Sequence, residues 1–364
     1  MRRLIVRLHR WLGFSVGVLF VLIGLSGSAL VYAPEIERQM YPSLAQDLPA
    51  GWRAFRPALL ARFAARDGLV LVRFPGGEYN AYQLYLQDGA QEFRDPVDGH
   101  LLVQRGLLGD FVIAAREFHT ALFGGATGER ILGWLGLAML ALLAGGIWLW
   151  WPRGGRWRHA FRRPSPLSSQ RLFRSRPQLV WWHKTLGIVI VAPLLLITLT
   201  GTALIFYYPA QALLTTAFGG KPPELPTRVP GAGTGDTDWQ AVVAMLDRTL
   251  PAGRTVFFYP PQDPRAPLLF RKRMPGELHP NGRSYVALAG DGKLLYARDA
   301  SAAAAGMQAT NTIYPLHSGK VDAPVYRAVV LCLGLVPLFF FATGIWTWYL
   351  RRHNGRRPIL QNGR

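Results

Sequence analysis

Four of the eight histidines in this 364-residue chain stand at matched positions. His9 and His183 each open a short string ahead of an apolar run, His9-Arg10-Trp11-Leu12-Gly13 and His183-Lys184-Thr185-Leu186-Gly187. His119 and His317 each stand 27 residues before a Gly-Ile-Trp-x-Trp string, at Gly146 and Gly344. Imidazole can ligate a metal as a neutral nitrogen, carry a proton, or sit as a polar group at headgroup depth. For a lone interfacial histidine the last role is the common one, whereas two repeat-matched pairs point to ligation.

Two opposed imidazoles in apolar surroundings suit the axial positions of a b-type haem, which takes neutral nitrogens and an apolar slot. A c-type haem is excluded, because no Cys-x-x-Cys-His occurs and Cys332 is the sole cysteine. Zinc would draw three or four ligands with thiols or carboxylates close by, and neither pair has such company in sequence. A proton relay needs acidic groups within the apolar runs, and those runs hold none. Arg10 and Lys184 match across the repeat and could neutralise haem propionates, though snorkelling to lipid phosphate explains them equally well. His100, His159, His279 and His353 have no counterparts and read as surface residues first and as replacement ligands second.

The elements that must hold these histidines are membrane helices. Residues 11–34, 131–152, 185–220 and 328–350 contain no Asp, Glu, Lys or Arg and are long enough to cross a bilayer. The first run follows four arginines, as a signal peptide would, but its apolar core is longer than a signal core and is expected to stay as a span.

The spans repeat. The first and third match at an offset of 174, including the small-residue clusters Ser26-Gly27-Ser28-Ala29-Leu30 and Thr200-Gly201-Thr202-Ala203-Leu204. The second and fourth match at an offset of 198. Each half is one span, an insert and a second span, so the halves should be related by a pseudo-two-fold axis along the membrane normal. Equivalent residues then share a depth, which pairs His9 with His183 and His119 with His317. The small clusters admit either a close helix or the flat face of a cofactor.

The formal charge of +20 marks topology rather than nucleic-acid binding. Residues 1–10, 153–184 and 351–364 hold 18 of the 41 basic residues and no acidic one. By the positive-inside rule these segments are cytoplasmic. The Arg-rich loop also suits contact with anionic membrane lipid. Cys332 falls inside the fourth span and reads as a packing residue, and the tryptophans at 148, 150, 151, 346 and 348 read as an aromatic belt.

The expected fold class is a membrane α-helical protein of four transmembrane helices in two pseudo-symmetric halves, each with an α+β insert outside the cytoplasm. Residues 1–34 make the cytoplasmic N-terminus and first span, 35–118 the first periplasmic domain, and 119–152 an interfacial segment and second span. Residues 153–182 make the cytoplasmic loop, 183–208 the third span, and 209–316 the second periplasmic domain. Residues 317–350 make an interfacial segment and the fourth span, and 351–364 a cytoplasmic tail. Both termini are then cytoplasmic, in a bacterial inner membrane.

Within the inserts, 52–67 and 238–250 read as helices, and 79–86, 255–259, 267–271, 283–288 and 293–297 as strands. Ahead of the second span, Phe111, Ala115, Phe118, His119 and Leu122 share one helical face. The stretch 231–235 has glycines in the manner of a nucleotide fingerprint, but it follows a proline rather than a strand and reads as linker. Trp52, Tyr79, Tyr82, Phe258 and Tyr259 could line a ligand pocket, and core packing explains them more simply.

The Leu8-His9-Arg10-Trp11-Leu12-Gly13 start, the Ser-Gly-Ser-Ala-Leu cluster, Phe118-His119 and the exit Gly146-Ile147-Trp148-Leu149-Trp150-Trp151-Pro152 resemble PepSY-associated transmembrane proteins. The turn Asp95-Pro96-Val97-Asp98-Gly99 resembles the Asp-Pro-x-Thr-Gly turn of PepSY domains, with Asp98 in place of threonine. Some members of that family are inner-membrane ferric-siderophore reductases. The resemblance implies two b-type haems with axial ligands at His9, His119, His183 and His317. It also implies a ferric siderophore as substrate and a quinol or a cytoplasmic reductase as electron donor, since the chain has no flavin or nicotinamide motif. A membrane-anchored PepSY binding or regulatory protein without a redox cofactor, and a siderophore transporter, are the competing expectations.

Overall fold

The computed structural model of the protein describes residues 1–49, 52, 56–152, 161–162, 175–229 and 236–354. Most of the Arg-rich loop with His159, the 231–235 linker and the tail past residue 354 lie outside the described residues. The chain divides into two compact units. One comprises Met1–Ala29, Phe118–Ile205 and Ala328–Arg364, and the other Leu30–Glu117 and Phe206–Arg327.

The first unit is helical. Helix α1 covers Arg2–Ser15 and α2 covers Gly17–Val31. Among the described residues three helices are long and apolar enough to cross a membrane: α6 (Gly125–Trp150), α7 (Arg176–Ile205) and α11 (Pro324–Asn354). The pair α1 and α2 makes a fourth if its 56° bend falls within one span.

That bend departs from the single straight run expected over 11–34, and it puts His9 on a separate amphipathic helix. Local packing explains the break. A Cβ at Gly17 would lie 2.5 Å from Phe341 Cδ2, so the chain turns where a glycine admits a ring of α11.

Both small-residue clusters serve helix packing. A Cβ at Gly24 would lie 2.2 Å from the Gly334 carbonyl oxygen, and Ser28 Oγ donates to the Leu331 carbonyl at 2.8 Å. These contacts seat α2 directly on α11. In the same way Thr202 of α7 fills the space beside Gly136 of α6, where a Cβ would lie 2.4 Å from its hydroxyl. Cys332, expected to pack inside, is exposed on α11. In a membrane helix the bilayer can supply the apolar surroundings that protein would supply in water, so an apolar position need not face inward.

The second unit is built on one eight-stranded antiparallel sheet. Its strands are β1 (Leu69–Arg73), β2 (Tyr82–Leu86), β3 (Gln91–Arg94), β4 (Leu101–Arg105), β5 (Arg254–Tyr259), β6 (Leu268–Arg273), β7 (Ser284–Leu288) and β8 (Leu294–Arg298). The order is β4-β3-β2-β1-β5-β6-β7-β8, so each insert supplies four consecutive strands. The first strands of the two inserts, β1 and β5, join them, with Val72 opposite Phe258.

Alternation along the strands separates the two faces. Val72, Leu84, Phe258, Phe270 and Val286 form one cross-strand row in the apolar core. This face is covered by α4 (Pro57–Ala64) and α9 (Trp239–Arg248), through Leu60, Phe63, Val242 and Leu246. Asp238 caps α9 by accepting from the Gln240 and Ala241 amides at 3.0 Å. Tyr82 and Phe258 are fully buried here, as core packing requires.

The neighbouring row, Gln83, Arg73, Phe257, Arg271, Tyr285 and Arg298, faces the other way. At its edge Arg105 is buried between Glu37, Asp110 and Gln91, and Tyr41 donates to Asp110 at 2.9 Å. Glu37 belongs to α3 (Ala33–Met40), which this cluster ties to the sheet. Burial pushes the Glu37 carboxyl above its ordinary value, against the pull of Arg105. Elsewhere on this side Glu78 pairs with Arg73 at 2.7 Å and with Lys320, and those two cations hold its carboxyl down at about 2 despite burial.

The Asp95 turn joins β3 to β4. Asp95 Oδ1 accepts from the Val97 amide at 2.7 Å, and Gly99 adopts a φ of 71°, which a side chain would strain. A Cβ there would also lie 2.2 Å from Arg62 Nη2.

Candidate functional site

The histidines are best followed from the elements that hold them. His9 is in the third turn of α1 and His183 near the start of α7, within one unit. Their ring centres are 6.4 Å apart with planes at 78°. Two imidazole nitrogens holding one metal ion from opposite sides, each at about 2 Å, put the ring centres roughly 6 Å apart. The spacing therefore suits a shared axial role.

Each ring is held from behind. His183 Nδ1 lies 3.0 Å from Thr343 Oγ1 on α11. The Thr343 proton is taken by the Phe339 carbonyl at 2.9 Å or the Phe340 carbonyl at 3.1 Å, so its oxygen is left to accept from Nδ1–H. That fixes the tautomer and leaves Nε2 with the lone pair, the arrangement found behind metal-binding imidazoles. His9 lies against the glycine pair of α6, with Cε1 3.5 Å from where a Gly146 Cβ would stand. His9 Nδ1 faces the same helix, 3.8 Å from where a Gly145 Cβ would stand, and Leu142 offers the ring a backbone hydrogen bond.

Both rings line a cavity of about 700 Å3, a volume within the range of roughly 300–1,000 Å3 typical of cofactor and ligand pockets. Phe14, Phe340 and Trp348 supply apolar wall, and Gly13 and Gly344 face open space where a Cβ would meet nothing within 4 Å. Arg2, Arg10, Arg176, Lys184 and Arg351 also line it, and among the described residues no carboxylate does. An apolar slot with two imidazoles and a cationic fringe fits a flat, dianionic macrocycle. Arg10 and Lys184, the repeat-matched cations, are among these lining residues. Thr343, Arg2, Arg176 and Arg351 were not legible as site residues, because no spacing rule links them to a histidine in a different helix.

His119 is on α5 (Phe111–Ala121), and its Nδ1 lies 2.9 Å from the Ile23 carbonyl and 3.3 Å from Ser26 Oγ of α2. A Cβ at Gly27 would lie 2.6 Å from His119 Cε1, so this glycine of the small cluster admits the imidazole itself. The packed face of α5 differs from the sequence expectation. Val112 and Ile113 are buried while Phe111 is 59% exposed. Asp110, fixed by Tyr41 and Arg105, accepts from the Ile113 amide at 2.8 Å and sets the roll of the first turn. His317 is in the last turn of α10 (Ala305–Ser318), in the other unit.

The remaining histidines separate clearly. His100 is exposed on the Asp95 turn and bonds Asp98 at 2.7 Å, and exposed His353 stacks on Tyr349. His279, expected at the surface, is instead buried at 3% exposure and stacked on Tyr314. The Gly282 turn explains this, since the Gly282 amide donates to the His279 carbonyl at 2.9 Å and folds the loop inward. Burial first, then Arg283, Arg271 and Arg273, push its imidazole down to about 2.

No relative among curated proteins matches the chain. The family model described as the PepSY-associated TM region matches residues 6–351, nearly the whole length, and the sheet unit suits a PepSY-like insert. With three or four membrane-crossing helices around the histidine cavity and that match over 6–351, this chain is a multi-pass membrane protein belonging to the PepSY-associated TM family.

Proposed function

We propose that the protein is a di-haem inner-membrane reductase that passes electrons across the membrane to a ferric siderophore and releases Fe(II) for iron uptake. The observation that carries this reading is the His9–His183 pair, 6.4 Å apart in an apolar cavity with a cationic fringe. A haem held there would supply one-electron chemistry, tuned by its axial imidazoles. The chain's own residues supply the rest. Thr343 orients His183, the α6 glycines seat His9, the aromatic wall excludes water, and Arg10 and Lys184 match the charge of two propionates.

His119 and His317 are the proposed ligands of a second b-type haem, on the strength of the repeat. The sheet order, with four strands from each insert running outward from the β1–β5 joint, agrees with two halves related by a pseudo-two-fold axis. The basic clusters favour cytoplasmic termini and put the His9–His183 pair at the cytoplasmic side, where a quinol or a cytoplasmic reductase would donate. One electron converts each Fe(III) to Fe(II), which hard oxygen donors hold less tightly.

An absorption spectrum of the purified protein tests the reading. A Soret band with sharp α and β bands after dithionite reduction is the expected result. Colourless protein after expression with adequate haem would overturn it in favour of a membrane-anchored binding protein. Oxidation of the reduced protein by a ferric siderophore then tests the substrate.

A further inference from the structure

Away from the histidine cavity, the sheet unit holds a second cavity of about 200 Å3. The first residues of helix α8 (Tyr207–Phe218), the ends of β7 and β8, and α10 enclose it. Tyr285 of β7 is the register partner of Arg298 of β8, Arg283 stands two residues before Tyr285, and all three line the cavity, with Arg298 Nη2 donating to the Lys221 carbonyl at 3.3 Å. Arg283 is set in place from behind, because Glu277 Oε1 accepts from its backbone amide at 2.8 Å. Its guanidinium lies 6.0 Å from the Tyr207 ring centre, and its Nε is buried with no hydrogen-bond partner. Tyr208 and Asn311 add polar groups to the wall, and among the described residues no carboxylate lines the cavity.

A pocket with two arginines and no acid favours an anion, and the planar guanidinium fork matches a carboxylate. The volume is below the roughly 300 Å3 at which whole drug-sized ligands begin to fit, so the occupant is a small acid or one arm of a larger one.

We infer that this cavity is a carboxylate-binding site, with Arg283 and Arg298 as the recognition pair and Tyr207, Tyr208 and Tyr285 as its walls. The same chemistry is offered by a free polycarboxylic acid and by the carboxylate arm of an anionic iron chelate. The site does not depend on the haem reading, because binding to it needs no electron.

Isothermal titration of the full-length oxidised protein in detergent, with citrate and separately with ferric citrate, distinguishes the two sources. Saturable binding of at least one probe is expected, weakened about tenfold or more by Arg283→Gln and by Arg298→Gln. Arg248→Gln on the exposed side of α9 should leave it unchanged. Binding of citrate alone assigns a free acid, and binding of the ferric complex assigns a chelate arm. No saturable binding of either probe, or unchanged affinity in both pocket variants while circular dichroism shows them folded, overturns the assignment. Loss of the haem bands without loss of citrate binding would sink the redox reading and leave this one standing.

Discussion

Thr343 Oγ1 lies 3.0 Å from His183 Nδ1, while its own proton is taken by a backbone carbonyl one turn earlier in the same helix. A threonine so committed can only accept from the imidazole, and the ring is thereby held in one tautomer with Nε2 presented. Replacing Thr343 by Val keeps the shape and removes the acceptor. The expected outcome is a roughly 10–100-fold loss of haem affinity at this site, with Thr343→Ser restoring most of it. Haem retention measured against a competing apo-globin would show it, and equal retention in Thr343→Val would remove the residue from the site.

The two histidine pairs should be separable. His9→Ala or His183→Ala is expected to remove one haem, and His119→Ala or His317→Ala the other, read as halving of the pyridine haemochrome absorbance per protein. Loss of both haems from any one change would contradict the pairing.

Gly27 is the position where α2 admits the imidazole of His119, and an added Cβ would lie 2.6 Å from the ring. Gly27→Ala must displace the ring or the helix, a cost of about 1–3 kcal/mol by the usual penalty of overpacking. The variant should lose the same spectral component as His119→Ala while retaining the one assigned to His9 and His183. An unaltered spectrum would mean that His119 is not a ligand.

Arg10 and Lys184 should tune a haem in the cavity they line. Positive charge near a redox centre favours its reduced form, so Arg10→Gln or Lys184→Gln should lower the midpoint potential of one haem and leave the other in place. Potentiometric titration decides this. No shift in either variant would return both residues to a lipid-facing role.

The folded sheet unit holds His279 neutral, with its imidazole pushed down to about 2 by burial. An unfolded histidine titrates near 6.5, so below that pH the unfolded chain binds a proton that the folded one refuses. Stability from this residue is full above pH 6.5 and falls as the pH drops through that value toward 2. At pH 5 the loss amounts to at most about 2 kcal/mol. Thermal unfolding in detergent between pH 7 and 5 should show the slope, and His279→Gln should flatten it; the same slope in the variant would place the effect elsewhere.

The parts of the molecule written in local pattern were legible in the sequence. Apolar runs without charge gave α6, α7 and α11, because a lipid-facing helix tolerates ionised groups poorly at any position. Alternation gave β5 to β8 to within two residues at each end. Strands β3 and β4 escaped the pattern because their runs are short and mix arginine and glutamine with apolar residues, and β1 because its unbroken apolar run shows no alternation. Of those polar residues, Gln91 and Arg105 lie on the sheet face that carries Gln83 and Arg73, where Arg105 is buried against Glu37 and Arg73 pairs with Glu78.

What the sequence determined by itself was the repeat, the family resemblance now met by the match over 6–351, and the repeat-matched positions of His9 and His183. Tertiary structure alone decided that the two inserts share one sheet, that the first apolar run bends at Gly17, and that His279 is interior. It also decided which groups stand behind the ligand candidates. A hydrogen bond from His183 to Thr343 joins residues 160 positions apart, and the seat of His119 on Gly27 joins residues 92 apart. Periodicity reports which face of a helix is apolar, but only the packing of one helix on another brings a particular oxygen to a particular nitrogen.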